Sequence, residues 1–226
     1  MRKFMKGKEA YAAEFLGTFF LVLCITGAAA AGSRFPGSGN AVGGALGAGL
    51  ALMTLVYTFG SVSGAHFNPA VTLAFFSIGK FKKEDLAPYL GCQFAGAIVA
   101  SLLLKMLVQS PSLGVTSTPL PLIQAWFIEV LLTYMLVAVI MGITDEKDSL
   151  GKAAVGLAIG GALAADAIWG GPLTDASMNP ARSFGPALVS GEFGQLWIYL
   201  TAPLAGGWLA AQSYVLIHPH ANLRQK

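Results

Sequence analysis

Charged residues, cysteine and histidine are all scarce in this chain. Asp, Glu, Lys and Arg make up only 11% of its 226 residues, whereas water-soluble domains carry about 25%. That shortage disfavours a single soluble domain. Cys24 and Cys92 lie in apolar runs without the spacing of a metal or redox motif, so we interpret them as small apolar residues. Because no Ser/His/Asp constellation, metal-ligand cluster or phosphate loop is present, we predict no enzyme, metal or cofactor.

Long apolar runs are what the chain has instead, and its mean hydropathy is +0.65. They cover roughly 10–32, 41–62, 86–108, 122–143, 152–171 and 195–217. Each has about the 20 residues that cross 30 Å of hydrocarbon as a helix. The sequence therefore predicts an all-α membrane protein with six transmembrane helices. A cleavable signal peptide is the alternative for the first run, but that run exceeds the usual apolar core of about 7–15 residues and contains Glu14.

The basic residues are distributed unevenly between the two sides of this six-span arrangement. One side carries Arg2, Lys3, Lys6, Lys8, Lys80, Lys82, Lys83, Lys147, Lys152, Arg224 and Lys226. The other carries Arg34 and Arg182, with Lys105 near the end of the third span. Since positive residues stay on the cytoplasmic side, we expect both termini there. We interpret the basic tails as topology signals rather than as nucleic-acid or lipid sites.

One tripeptide occurs twice: Asn68-Pro69-Ala70 recurs as Asn179-Pro180-Ala181. Glu14-x-x-x-Thr18 is likewise matched by Glu129-x-x-x-Thr133. These pairs predict a tandem duplication, with repeat one at about 9–108, repeat two at about 122–217 and a linker at 109–121. Each repeat has three spans, an odd number, so the second must enter the membrane inverted. Inverted repeats place their site at the midplane where the halves meet.

The segments after each tripeptide, 70–78 and 181–189, are too short to cross a bilayer. Asparagine is a preferred N-cap and proline is favoured at the first helical position. We therefore predict two re-entrant half-helices, capped by Asn68 and Asn179, whose N-termini meet near the bilayer centre. We expect their amide NH2 groups to be free to donate into a pore. A water there would turn its hydrogens outward, which breaks a proton wire, and both helix dipoles would repel cations.

The segments 63–72 and 177–186 resemble the two signature loops of aquaporins, the major intrinsic proteins. This resemblance extends over essentially the whole chain. It implies six helices plus two half-helices, a pore in every subunit, and a homotetramer embedded in membrane lipid. It also implies that Arg182 forms the outer constriction. The alternative for Arg182 is a simple ion pair with a carboxylate.

By their spacing from the tripeptides, the other filter positions implied by the resemblance are Ala48, Ala167 and Ala176. Water-selective relatives have an aromatic residue at the first position and histidine at the second, so we expect a wide opening here. Glycerol facilitators have aspartate where Ser183 stands. With its small filter residues, the chain resembles the nodulin-like intrinsic proteins and their bacterial relatives. These proteins pass neutral polyols and undissociated metalloid acids. We accordingly expect those solutes and water, and a prokaryotic cell membrane.

Further site residues follow from the loops. Pore-lining backbone is expected at Gly64, Ala65, His66, Asp175 and Ser177. Glu14 and Glu129 are expected to brace the loops through backbone N–H groups, and the side chain of His66 to line the inner half of the pore. Asp166 and Asp175 have two interpretations: they orient Arg182 or set the vestibule charge, or they hydrogen-bond a loop.

Three other functions compete with a wide channel. A water-selective aquaporin would have bulky neighbours that refill the space left by the alanines. A secondary transporter also uses inverted repeats and broken helices, but it needs coupling carboxylates at the midplane. Only amides and apolar residues are predicted there. A purely structural junction protein of this fold would not need Arg182.

Overall fold

The computed structural model describes residues 7–110, 112–145 and 149–218. Across those residues the chain forms eight helices and no strands, as the all-α prediction required. Their bounds are α1 Lys8–Arg34, α2 Ala41–Ser63, α3 Pro69–Ser77, α4 Lys83–Val108, α5 Leu122–Thr144, α6 Ser149–Thr174, α7 Pro180–Ser190 and α8 Leu196–Ile217. The basic residues Arg2, Lys3, Lys6, Lys147, Arg224 and Lys226 lie outside the described residues, as does the side chain of Lys152.

Six helices are long and two are short, which confirms the predicted fold class. Five of the long helices are apolar enough along their length to cross a membrane. The sixth, α8, has 22 residues and no charged side chain. By contrast, α3 has 9 residues and α7 has 11, so at about 1.5 Å per residue each covers about half of a bilayer core.

The short helices run to opposite ends of the bundle. The turn after α3 carries Lys80, whose ammonium lies 2.8 Å from Asp145 at the end of α5. Near the end of α7, the carbonyl of Val189 accepts a hydrogen bond of 3.2 Å from Lys105 at the other end of the bundle. The start of α1 lies at the Lys80 end, because Tyr11 donates to Asp85 of α4. Lys8, Lys80, Lys82 and Lys83 thus lie toward one end.

Small residues allow the helices to pack closely, both within each half of the chain and between the halves. α1 packs on α4, α5 on α8, and α2 on α6, while α3 lies against α8 and α7 against α4. A Cβ added at Gly96 would lie 2.5 Å from the carbonyl oxygen of Phe15, and one at Gly185 would lie 2.5 Å from that of Ala97. Such close backbone approach is what small residues permit between membrane helices. Each half-helix is thereby held by the last long helix of the opposite half.

Candidate functional site

The two short helices meet tip to tip at their asparagine caps. Asn68 Oδ1 accepts from the backbone N–H of Ala70 at 2.8 Å. Asn179 Oδ1 accepts from the N–H of Ala181 at 3.0 Å and of Arg182 at 3.3 Å. Proline occupies the first turn of each helix. A backbone N–H at that position would have no intrahelical acceptor, so its absence in proline costs no hydrogen bond. Local capping chemistry thus sets where both half-helices begin.

The two asparagine amides also cross between the halves. Asn68 Nδ2 donates to the carbonyl of Met178 at 2.7 Å, and Asn179 Nδ2 donates to the carbonyl of Phe67 at 2.9 Å. We expected the whole NH2 group of each amide to be free, and that expectation was wrong. Since an amide nitrogen carries two N–H donors, one locks the tips together and one stays available. Both asparagines are nearly buried, with 4% and 5% of their surface exposed.

The loops before the asparagines share an unusual backbone. Non-glycine residues adopt left-handed φ angles at Ala65, Phe67, Asp175, Ala176 and Met178. This conformation is costly for residues with a Cβ and clusters at functional sites. Within the described part of the chain, the carbonyls of 64–66 and 175–177 accept no protein hydrogen bond. They are therefore free to accept one from another molecule.

Glu14 fixes the first loop, the one before Asn68, by accepting hydrogen bonds from it. Its Oε1 accepts from the N–H of His66 at 3.0 Å and from the Ser63 hydroxyl at 2.7 Å. Its Oε2 accepts from the N–H of Phe67 at 2.8 Å and from the Gln93 amide at 2.8 Å. The carboxylate is fully buried, and these four donors compensate for its lost hydration.

Glu129 fixes the second loop, the one before Asn179, in the same way. Its Oε1 accepts from the N–H of Ser177 at 2.9 Å and from the Thr174 hydroxyl at 2.8 Å, while Oε2 accepts from the N–H of Met178 at 2.9 Å. It too is fully buried. Because the loop N–H groups turn toward the glutamates, the loop carbonyls are left to face the other way.

A cavity of about 700 Å³ opens beside the second loop. The structure brings Ala48, Ala167, Ala176 and Arg182 together on its wall, although they come from α2, α6, the loop before Asn179 and α7, respectively. Arg182 is only 4% exposed, and its Nη1 donates to the carbonyl of Gly114 at 2.6 Å. Among the described residues Arg182 forms no ion pair, so the alternative of simple pairing with a carboxylate does not hold.

The two aspartates near this cavity differ. Asp175 Oδ2 accepts from the backbone N–H of Ser117 at 2.8 Å and from its hydroxyl at 3.2 Å, which matches the interpretation as a loop anchor. It also borders the cavity. Asp166 is buried, and its Oδ2 has no hydrogen-bond partner in the described residues. It does not border the cavity.

The linker between the halves contributes to the site, and sequence reasoning missed this. Gly114 has φ +70°, and a Cβ there would lie 2.9 Å from Thr26 of α1. Thr116 donates to the Ser183 hydroxyl at 2.9 Å. A glycine in a polar loop was the only signal available, and nothing local connects it with an arginine far along the chain.

Comparisons with known proteins agree with this geometry. Residues 2–214 match the family model described as Major intrinsic protein. Aquaporin NIP1-1 of Zea mays is 40% identical over 208 residues, which are 91% of this chain and 73% of the relative. Nodulin-26 of Glycine max is 39% identical over 208 residues, or 91% of this chain and 76% of the relative.

A solved structure is similar as well. The aquaglyceroporin from Plasmodium falciparum superposes with a TM-score of 0.85 at 29% identity, covering 95% of this chain and 98% of that one. Six long helices, two opposed half-helices and paired asparagine caps define a membrane channel fold. This chain belongs to the major intrinsic protein family, and the resemblance to aquaporins is confirmed.

Proposed function

We propose that this chain is a passive membrane channel for water and small uncharged hydroxylated solutes, such as glycerol-like polyols and undissociated arsenous, boric or silicic acid. The observation that carries the proposal is the meeting of Asn68 and Asn179 beside a cavity with three alanines and one arginine on its wall. The names of the relatives, aquaporins and an aquaglyceroporin, support the same class.

Hydrogen bonding at the centre accounts for proton exclusion. Each asparagine retains one N–H donor after its crossing bond, so a water at the tips accepts from both and turns its own hydrogens outward. The unpaired carbonyls of 64–66 and 175–177 then accept from waters on either side. Waters in the two halves thus point in opposite directions, and no continuous proton wire forms. The positive ends of both half-helices also repel cations.

The wall of the cavity accounts for the wide solute range. Ala48, Ala167 and Ala176 each project only a methyl group. The guanidinium of Arg182 has five N–H donors. Within the described residues it makes one bond, from Nη1 to the carbonyl of Gly114, which leaves most of the donors for solute oxygens. A neutral hydroxylated solute accepts from those donors, whereas a cation is repelled by the charge.

A secondary transporter is the weaker candidate. Glu14 and Glu129 are the buried carboxylates beside the asparagine loops, and each already accepts from several N–H or hydroxyl donors. Because both oxygens of each carboxylate are already engaged in holding a loop, this arrangement disfavours the binding of a coupling ion. Solute flux that rises linearly with its gradient supports the channel, while counterflow or uphill uptake supports the transporter.

Stopped-flow light scattering on proteoliposomes tests the proposal. We expect water, glycerol and boric acid to cross faster than through protein-free vesicles of the same lipid. Normal water flux with exclusion of both glycerol and boric acid would leave a water-selective aquaporin and reject the wide filter. No water flux above the lipid control would reject the channel itself.

We further propose that the chain is a single channel domain built of two repeats, about 9–108 and 122–217, joined by 109–121. Its supports are the paired buried glutamates and the half-helices that run to opposite ends. We propose a homotetramer in membrane lipid, with both termini cytoplasmic and no catalytic activity or cofactor. The relatives from Zea mays and Glycine max are plant proteins and do not support a prokaryotic inner membrane. Cross-linking in native membranes tests the tetramer.

A further inference from the structure

An aromatic cage surrounds His66, two residues before Asn68. Its imidazole stacks on Phe75, with ring centroids 5.2 Å apart and planes at 15°. Phe81 and Tyr89 contact it from other sides at centroid distances of 5.2 and 5.6 Å. The ring is therefore held in one orientation. Nδ1 lies 3.0 Å from the hydroxyl oxygen of Thr72, while Nε2 has no partner within the described residues.

The hydroxyl of Thr72 has three neighbours but only one proton. It lies 3.1 Å from the backbone carbonyl of Asn68. A carbonyl only accepts, so that bond uses the threonine proton. The Gln93 amide nitrogen lies 2.9 Å away and only donates. The third neighbour, His66 Nδ1, then faces a lone pair and must carry a proton itself.

Glu14 fixes which way the Gln93 amide points. Gln93 Nε2 lies 2.8 Å from Glu14 Oε2, and the opposite orientation would set the amide oxygen against a carboxylate oxygen. Both residues and Thr72 are fully buried, so water does not supply alternative partners. The direction of each hydrogen bond from Glu14 to the imidazole follows from these fixed roles.

We infer that Thr72 and Gln93 are positioning residues that hold His66 as the Nδ1–H tautomer, so that Nε2 presents a hydrogen-bond acceptor to permeating molecules. This inference rests on the proposed channel function. The carbonyls of Gly64 and Ala65 are acceptors on the same loop, and His66 extends that series. A tautomer with a proton on Nε2 would place a donor among the carbonyl acceptors of this loop. Water molecules in this half of the channel could then reverse their orientation.

The second half of the chain has no histidine at the position that matches His66. Ser177 and Ser183 occupy the positions that match His66 and Thr72, two residues before and four after the asparagine. Their hydroxyls lie 2.5 Å apart, Thr116 donates to Ser183, and Ser177 donates to the carbonyl of Asn179 at 3.1 Å. Among the described residues of the second loop, the serine hydroxyls are thus used within the protein, and no ring nitrogen stands at the matching position as an acceptor.

Nitrogen-15 NMR of histidine-labelled protein in proteoliposomes at neutral pH tests the inference. The chain has three histidines, so a His218→Gln, His220→Gln background leaves His66 alone. We expect protonated Nδ1 and unprotonated Nε2. A spectrum with the proton on Nε2 would overturn the inference even if no further variant folded.

Substitutions at Thr72 test the cause. Thr72→Val removes the acceptor, and we expect the tautomer ratio to shift toward Nε2–H by about tenfold, the effect of one hydrogen bond. Thr72→Ser keeps the hydroxyl and should keep Nδ1–H. Thr133→Val is the control, because in the described part of the chain that buried hydroxyl bonds only the carbonyl of Glu129 in its own helix. An unchanged ratio in Thr72→Val would overturn the inference.

Water and proton flux on the same samples separate the two proposals. We expect slower water flux and faster proton leak in Thr72→Val than in Thr72→Ser. Nδ1–H without any channel flux would reject the proposed function and leave the tautomer assignment standing. Channel flux with Nε2–H would reject only the positioning role.

Discussion

Asn68 and Asn179 are linked by reciprocal hydrogen bonds, each amide donating to the carbonyl just before the other asparagine. The pair thereby joins two helices that enter from opposite ends of the bundle. Each asparagine has three tasks: its oxygen caps a helix, one N–H locks the tips, and one N–H stays free. Only a side-chain amide offers an acceptor and two donors at this size.

Replacing Asn68 by aspartate separates these tasks. Aspartate caps a helix as well as asparagine does, but it donates no hydrogen bond and would face the carbonyl of Met178. We expect Asn68→Asp to lower the free energy of unfolding by about 1–3 kcal/mol and to raise cation leak. Thermal unfolding and vesicle conductance measure these effects.

Asn40→Asp is the matched control for stability. Asn40 caps α2 by accepting from the N–H of Gly43 at 2.7 Å, and it is exposed. Its change should leave the unfolding temperature nearly unaltered. Equal losses in the two variants would contradict the assigned role of the crossing bond.

The buried glutamates should be sensitive to neutral substitution. Glu14→Gln or Glu129→Gln places an NH2 group where an oxygen accepts from loop N–H groups. We expect each change to cost about 1–3 kcal/mol of folding free energy because buried donors lose a partner. Glu9→Gln, exposed in the first turn of α1, should stay within about 0.5 kcal/mol. Guanidinium or thermal unfolding in detergent compares the three, and a harmless change at both buried sites would refute the bracing role.

The Gly114 carbonyl should control how firmly Arg182 is held. Gly114→Ala adds a methyl group 2.9 Å from Thr26 in a left-handed backbone, so the linker must move and the bond to Arg182 Nη1 weakens. We expect lower stability by about 1–3 kcal/mol and reduced discrimination against cations.

Gly37→Ala provides the comparison for Gly114. Gly37 has φ +88°, and nothing lies within 4 Å of an added Cβ. It carries the same backbone strain of about 1–2 kcal/mol without the clash. Cation conductance should therefore rise only in Gly114→Ala, and a similar rise in both variants would count against the linker's role.

Bulk at the filter should narrow selectivity. The double variant Ala48→Phe, Ala167→His fills the cavity wall. We expect glycerol and boric acid flux to fall at least about tenfold, an added barrier of about 1.4 kcal/mol, while water flux persists. Ala165→Phe adds bulk at an exposed site on the same helix, away from the cavity, and should change neither flux. Unchanged glycerol flux in the double variant would place the constriction elsewhere.

Much of the fold follows from local signals in the sequence. Apolar run length indicates spans, and an asparagine followed by proline indicates a helix start, because both depend on neighbouring residues only. The repeated tripeptide and the repeated glutamate then relate the halves. α3 and α7 begin at Pro69 and Pro180, one residue before the predicted segments.

Only the tertiary structure decided which residues become partners across long separations in the chain. The carbonyl of Met178 accepts from Asn68, that of Phe67 from Asn179 and that of Gly114 from Arg182. Gln93 donates to Thr72, which lies beside His66. No period or motif encodes these contacts, because they arise where helices distant in sequence pack together. The amino-acid sequence by itself determined the spans, the duplication and the caps. The packed structure determined which hydrogen-bonding groups remain free, since a group is free only after every neighbour has taken its place.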